Sequence, residues 1–414
     1  MPTAQAMLTP AAFVASLRPG LRIHIAGCAG EPHAVLDAME AAPDRMAGSA
    51  LLGVPIASVN RRDFSLIAPA EVAFMTPELR PGLAAKRVRF RPLHYSDAYA
   101  WLAGPARADM SIFRCAPPRG GSVSLGLTHD FVPALVASGA ALVGVVDPAL
   151  PDVPDGTRIP LDRLHALVDG PSAPLLLAPD APGTALATIG ALVASLVRDG
   201  DTVQAGIGST TTAAMAALDG HRRLRFHGGI VSDPVAGLLD AGALDHAVTG
   251  VALGTAAFHD RLAREDRIAF RPVGYTHDAA RIAALPRLIA INAAVEVDLY
   301  GQVNSEMIEG RQVSGHGGVA DFVRGAKKAP GGRAVIALLS SGKGGSISRI
   351  VPRLAPGTPV SLTRADADIV VTEHGIAELR GTDIDARAER LIAIAAPSHR
   401  DALAQEWAAM RARF

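Results

Sequence analysis

The chain is expected to fold as two related, open α/β domains, and three observations predict that class. Its 414 residues suffice for two domains of ordinary size. Aliphatic residues abound while aromatics make up only 4%, which suits parallel strands buried beneath alanine-rich helices. A pattern also recurs. Arg18-Pro19-Gly20-Leu21-Arg22-Ile23 resembles Arg198-Asp199-Gly200-Asp201-Thr202-Val203, Asp130-Phe131-Val132 resembles Asp321-Phe322-Val323, and the apolar run Ala141–Val146 has a counterpart in Ala334–Leu339. Two related halves explain this economically; chance likeness between alanine-rich segments is the plainer alternative. The halves are placed at residues 1–186 and 187–414.

In chain order, Thr9-Pro10 is set to cap a helix over Ala11–Leu17. Leu21–Ile25 alternates as a strand and runs through Gly27-Cys28-Ala29-Gly30 into helical AVLDAME. Further strands are expected over Leu51–Val59, Val88–Phe90 (an edge strand, given its charge and Pro92), Met110–Phe113 and Ala141–Val146. Pro148–Pro160 reads as an extended surface connector, and Asp180–Gly183 as a second break. In the second half, strands are expected at Val203–Ala205, Leu224–Phe226, Leu288–Ile291 and Ile369–Val371. Helices should run from about Ala386 to Ala395 and onward from Arg400.

Forty basic and forty acidic residues cancel without a basic run, arguing against nucleic acid or anionic membrane as partner. Cys28 and Cys115 cannot form a disulfide framework or a four-cysteine zinc site, and no other metal-ligand spacing stands out. Both read as small buried apolar residues. The first residues lack the basic start and apolar run of a signal peptide, and no stretch approaches the ~20 apolar residues of a membrane span. A cytoplasmic protein is expected.

The densest chemistry lies at 289–326. A buried strand ends at Asn292, then Glu296, Asp298, Gln302, Asn304, Ser305 and Glu306 follow in close order. Gly315-His316-Gly317-Gly318 comes next, where missing Cβ atoms let backbone N–H groups approach an anion. A tight turn needs the same geometry. Gly206-Ile207-Gly208 before Ser209–Thr212 is a second anion-friendly turn, without the third glycine of a dinucleotide fingerprint. Ser340–Ser346, with Lys343, Gly344, Gly345 and Ser346, is a third; its lysine suits a phosphate, or is a solvated surface charge. Thr372-Glu373-His374 is not a zinc-protease motif.

The ordered segments QAGIGS, YTHD, AINAAVEVDLYGQVNSE, SGHGGVADFVRGA, SISRIVP and VTEHGIAELRG are similar to those of the acetyl-CoA hydrolase/transferase family, over most of residues 190–400. GCAGEPHAVLDAM and SLGLTHDF extend the likeness loosely into the first half. The resemblance implies two α/β domains of the CoA-transferase fold, acyl-CoA as substrate with a small carboxylate as acceptor, no metal, and a homodimer. It implies an oxyanion cradle at Gly317 and Gly318 shaped by Gly315, a CoA pocket near Gly206, Gly208 and Lys343–Ser346, and Glu373 on the family's glutamate of the VTE stretch.

One position departs from the pattern. The family's nucleophilic glutamate lies in a stretch resembling G-I-H-[ST]-E-M-x-x-D-G, and matching His227 and Asp233 puts Gly229 at that glutamate, with Gly228 before it. No glutamate lies between Glu78 and Glu265 to replace it. Three readings follow. Another carboxylate (Glu306, Glu309 or Glu373) carries out transfer. Alternatively, a water beside His227 hydrolyses the thioester, with His227 or His316 as base. The third is that the protein binds CoA or acyl-CoA without turnover. Plain structural roles stand against each: His227 bonded to a backbone carbonyl, His316 facing solvent, Glu373 paired with Arg380 or Arg387.

Overall fold

The computed structural model describes residues 7–413 except 58, 174 and 178–182; part of the expected break at Asp180–Gly183 therefore lies outside the described residues. Strands β1 (Arg22–Ile25), β2 (Ala50–Gly53), β3 (Ala70–Val72), β4 (Val88–Phe90), β5 (Met110–Cys115), β6 (Ala141–Val146) and β7 (Leu164–Asp169) form a seven-stranded sheet in the order β4-β3-β2-β1-β5-β6-β7. All its pairs are parallel. Strands β8 (Thr202–Ala205), β9 (Leu224–His227), β10 (Leu244–Thr249), β11 (Ile268–Phe270), β12 (Leu288–Ala293), β13 (Arg333–Ala337), β14 (Ile369–Thr372) and β15 (Gly375–Glu378) form the second. Its order is β11-β10-β9-β8-β12-β13-β14-β15, parallel except for the edge strand β15. Counted within each half, the first seven strands are arranged identically. The repeat read from the sequence is thus a repeat of topology.

Burial on both faces explains why the central strands are continuous apolar runs. Every residue of β5 is buried, and in β12 all but the last. Val88–Phe90 lies at an edge as its charges required. The first helix, Pro10–Ser16, is capped by Thr9, whose hydroxyl accepts from Ala12 N–H at 3.2 Å. The strand expected over Leu51–Val59 stops at Gly53. Pro55 lacks a ladder donor, and Asn60 Oδ1 draws Ile56 N–H into a turn at 2.9 Å. Residues 148–160 do not link the halves, since β7 returns to the first sheet after them. They form a clamp: Asp155 accepts two hydrogen bonds from Arg271 at 2.8 and 2.9 Å, and Val153 and Ile159 are buried. Helix Thr184–Ala194 crosses the 186/187 division and packs Ile189 and Val193 into the core under the second sheet.

Strand order reverses beside β1 in one sheet and β8 in the other, and ligands of open α/β sheets bind beyond the strand C-termini at such points. In the first half this place is filled. Arg114 and Asp147, each about 1% exposed, form an ion pair there, and Arg114 Nη1 donates to the Ala29 carbonyl at 3.0 Å. Removing one partner of a buried pair strands the other charge. Asp147→Ala should therefore lower unfolding free energy by roughly 3–5 kcal/mol, measured by denaturant titration; a loss under ~1 kcal/mol would show that the pair does not carry this region.

Candidate active site

The reversal point of the second sheet is open. A cavity of about 180 Å³ lies between the C-terminal ends of the two sheets. β8 and the turn after it supply Gln204, Ala205, Gly206 and Ile207, and β12 supplies Asn292 and Ala293. Gly229 and Ile230 follow β9, while Gly315, His316, Gly317, Gly318 and Val319 enter with Phe322 of helix Val319–Lys328. From the first half come Ile56, Phe74, Tyr95 and Asp130. No Lys or Arg is among the lining residues.

The glycine loop is held by the first half. Tyr95 N–H donates to the Gly317 carbonyl at 3.0 Å, and Ser96 Oγ to Asp321 at 2.7 Å. Gly317 takes φ +61°, a left-handed conformation that glycine adopts without strain. Gly318 caps helix Val319–Lys328. The first N–H groups of a helix have no intrahelical acceptor, so this end of the cavity presents donors and the positive end of the helix dipole.

His277 stands against this helix end. It is 2% exposed, and burial holds its pKa down at about 3, so the ring is neutral at ordinary pH. The Thr276 hydroxyl donates to the Pro272 carbonyl at 3.4 Å and sits 2.9 Å from His277 Nδ1. The closer of these contacts fixes the ring's orientation, with its Nε2 edge against Gly318. An ideal Cβ on Gly229 would lie 3.0 Å from His277 Cε1, and one on Gly318 would overlap Nε2. The imidazole therefore packs directly against Gly229, on the side where a Cβ would lie.

Asp130 lines the same cavity and was not singled out for chemistry by its sequence context, although its repeated Asp-Phe-Val signature marked it. It is 5% exposed. Oδ1 accepts from Phe131 N–H at 2.7 Å, and burial pushes the carboxyl up to about 7.

The remaining expected residues are placed as follows. His227 is buried outside the lining; its Nε2 lies 3.0 Å from the Thr276 carbonyl, so its role is to fix the backbone beneath His277. Gly228 lies against Phe226 and Gln204. His316 does line the cavity, with Nδ1 3.2 Å from Glu306 and its ring edge-on to His94. Glu306 is committed to that histidine and to the Ser361 hydroxyl at 2.8 Å. Glu373 lies outside the lining and accepts from Ser340 N–H and Oγ at 2.8 and 2.7 Å. It pairs with neither arginine expected for it: Arg380 binds Asp368, and Arg387 donates to backbone carbonyls. Gly208, at φ +130°, caps helix Ser209–Ala216. Lys343 pairs with Glu309 on an exposed loop, Ser346 Oγ donates to the Lys343 carbonyl at 2.9 Å, and Gly345 and its neighbour Gly344 are exposed. Both cysteines are free and buried. Among the described residues no cluster suits a metal ion, and no helix is long and apolar enough to cross a membrane.

Backbone donors, a neutral imidazole and a carboxyl group thus surround one largely apolar cavity at the strand ends of paired α/β sheets, the arrangement of an open α/β ligand site. Residues 254–407 match the acetyl-CoA hydrolase/transferase C-terminal domain. The chain is 33% identical to the 4-hydroxybutyrate coenzyme A transferase of Clostridium kluyveri over 70% of each chain, and 33% identical to a Fasciola hepatica succinyl-CoA:acetate/propanoyl-CoA:succinate CoA transferase over 78% of this chain and 70% of that one. Its structure matches RipA from Yersinia pestis with a TM-score of 0.90, at 26% identity over 98% of this chain and 97% of that chain. The chain belongs to the acetyl-CoA hydrolase/transferase family.

Two tests of the geometry follow. Gly229→Glu should destabilise by about 1–3 kcal/mol through overpacking against His277, and the cost should shrink in a His277→Ala background; equal costs in both backgrounds would refute the contact. For Asp130 the folded-state pKa is raised, so its contribution to stability is greatest below the unfolded value near 4 and is lost as pH rises through about 7. Asp130→Asn should be more stable than the parent at pH 8, by up to roughly 4 kcal/mol, with the gain shrinking toward pH 4. Thermal unfolding across that range checks the sign.

Proposed function

We propose that the protein acts on an acyl-CoA thioester in this cavity and passes CoA between carboxylates. The observation that carries the reading is that Gly229, the Gly315–Gly318 loop and His277 share one cavity at the second sheet's reversal point. The thioester oxygen is taken by the N–H groups that begin helix Val319–Lys328, at Gly318 and its neighbours, where a developing oxyanion meets aligned donors. The CoA tail leaves the cavity for the surface, where the exposed Lys343 loop offers a cation to its phosphates. Family membership supports CoA thioesters as the substrate class.

The wall also bears on the acyl group. Ile56, Phe74, Val251, Val273 and Phe322 make it largely apolar, and no cation lines it. A second carboxylate on the acyl chain would be desolvated without a partner, which is costly. The acyl group is therefore short and uncharged. Hydrolysis is the second reading, favoured by a neutral His277 in the cavity wall, which would take a proton from water. A base held near pKa 3 is weak for that step, so transfer is preferred.

Incubation with acetyl-, propionyl-, butyryl- and succinyl-CoA, with and without acetate, tests both. Transfer gives new acyl-CoA without net thiol, fastest from butyryl- or propionyl-CoA and at least tenfold slower from succinyl-CoA. Thiol release without acceptor is the result for hydrolysis, and failure to bind CoA sinks either. Lys343→Ala should raise KM for acyl-CoA several-fold with kcat nearly unchanged, the pattern of lost uniform binding.

A further inference from the structure

We propose that Asp130, delivered by the N-terminal half, is the catalytic carboxylate that the C-terminal half lacks at Gly229. The inference rests on the acyl-CoA reading above and names the group that attacks. Elimination is one part of the argument. Glu306 is taken up by His316 and Ser361, Glu373 by Ser340, and Glu309 by Lys343 on the surface. Among the residues lining the cavity, Asp130 alone carries a carboxyl group.

Placement is the other part. The Gly229 carbonyl accepts from Gly250 N–H at 3.1 Å, and the Gly250 carbonyl accepts from His129 N–H at 2.8 Å. Two main-chain hydrogen bonds thus lead from Gly229 to the residue before Asp130. An ideal Cβ on Gly250 would lie 3.3 Å from the Gly229 carbonyl oxygen and 3.7 Å from Asp130 Cβ. Val273 N–H bonds the Asp130 carbonyl at 3.0 Å and fixes the backbone from the far side. Oδ1 accepts from Phe131 N–H, no cation or side-chain donor is credited to the carboxyl, and burial outweighs its main-chain bonds. A carboxylate so sparsely solvated is a stronger nucleophile than one in water. The titratable groups around it are Tyr95 and Cys28, which both feel its charge, and His277 across the cavity. Burial raises the Tyr95 phenol and the Cys28 thiol and lowers His277, so all three are neutral where Asp130 ionises.

The reaction balances without redox or a further reagent. An Asp130 oxygen bonds to the thioester carbonyl carbon, the C–S bond breaks, and CoA leaves as thiolate from an acyl–aspartyl anhydride. The thiolate then attacks the aspartyl carbonyl carbon and expels the first carboxylate, leaving an aspartyl-CoA thioester. The acceptor carboxylate attacks that carbonyl and expels the thiolate. Finally the thiolate attacks the acceptor's carbonyl carbon, which forms the new acyl-CoA and frees Asp130.

Trapping tests this directly. The protein is incubated with butyryl-CoA, reduced with borohydride, digested, and mapped by mass spectrometry, and free-CoA affinity is measured by calorimetry. The expected result is homoserine at position 130. Asp130→Asn should lose at least about 10³-fold in kcat while its affinity for free CoA changes less than twofold, and Asp130→Glu should recover part of the rate. Reduction at another carboxylate, or an Asp130→Asn protein with undiminished turnover, overturns the assignment and leaves the acyl-CoA reading intact. A parent protein that binds no CoA overturns both.

Discussion

The cavity depends on main-chain hydrogen bonds that cross between the halves. Tyr95 N–H reaches Gly317, His129 N–H reaches Gly250, Ala252 N–H reaches Leu127, and Val273 N–H reaches Asp130. Each satisfies a backbone group that would otherwise be buried without a partner, a penalty of about 1–3 kcal/mol per group. Main-chain bonds also fix position more narrowly than side chains do, since no rotamer can be exchanged. The two sheets consequently enclose the cavity between the C-terminal ends of their strands. Neither half forms the cavity alone: one contributes helix-terminal donors, the imidazole and most of the apolar wall, the other a carboxyl group, Ile56, Phe74 and Tyr95.

That arrangement buries titratable groups, and they respond in opposite senses. Burial drives Asp130 up to about 7 and His277 down to about 3. Both effects favour neutral forms. A protonated carboxyl and a neutral ring can coexist in an apolar wall, whereas an ionised pair would need to be tightly bonded. The same logic extends to the first half's reversal point, where Glu31 is also raised to about 7 by burial. There, however, Asn60 donates to its carboxylate and the Arg114–Asp147 pair fills the space. One reversal point has been packed shut with polar partners and the other left open, although strand order is the same in both.

Much of the fold was legible because it rests on local pattern. Continuous apolar runs such as Ala141–Val146 could only be buried parallel strands, and the Asp-Phe-Val repeat anticipated two sheets with one topology. Glycine 315–318 pointed to the loop that meets the cavity. What could not be read was which polar side chains converge there, since that depends on long-range pairing. His227 and His277 are both buried histidines in polar contexts, yet the Thr276 carbonyl turns the first away while the Thr276 hydroxyl aims the second inward. Glu373 stands at a strand end, as a site residue should, but Ser340 from the neighbouring strand's loop captures it. Asp130 lies far from the glycine loop in sequence and is brought to it only by closure of the halves.

Glycine at position 229 is packed against a neighbouring ring. A lone truncation of a buried side chain would leave a void and the lost contacts that go with it. Here the His277 ring abuts both Gly229 and Gly318, so the three residues form one packed unit in which a larger residue at either glycine displaces the imidazole. A larger side chain at 229 would press on the ring, and through it on the start of helix Val319–Lys328. The carboxyl group that lines the cavity belongs instead to the N-terminal half.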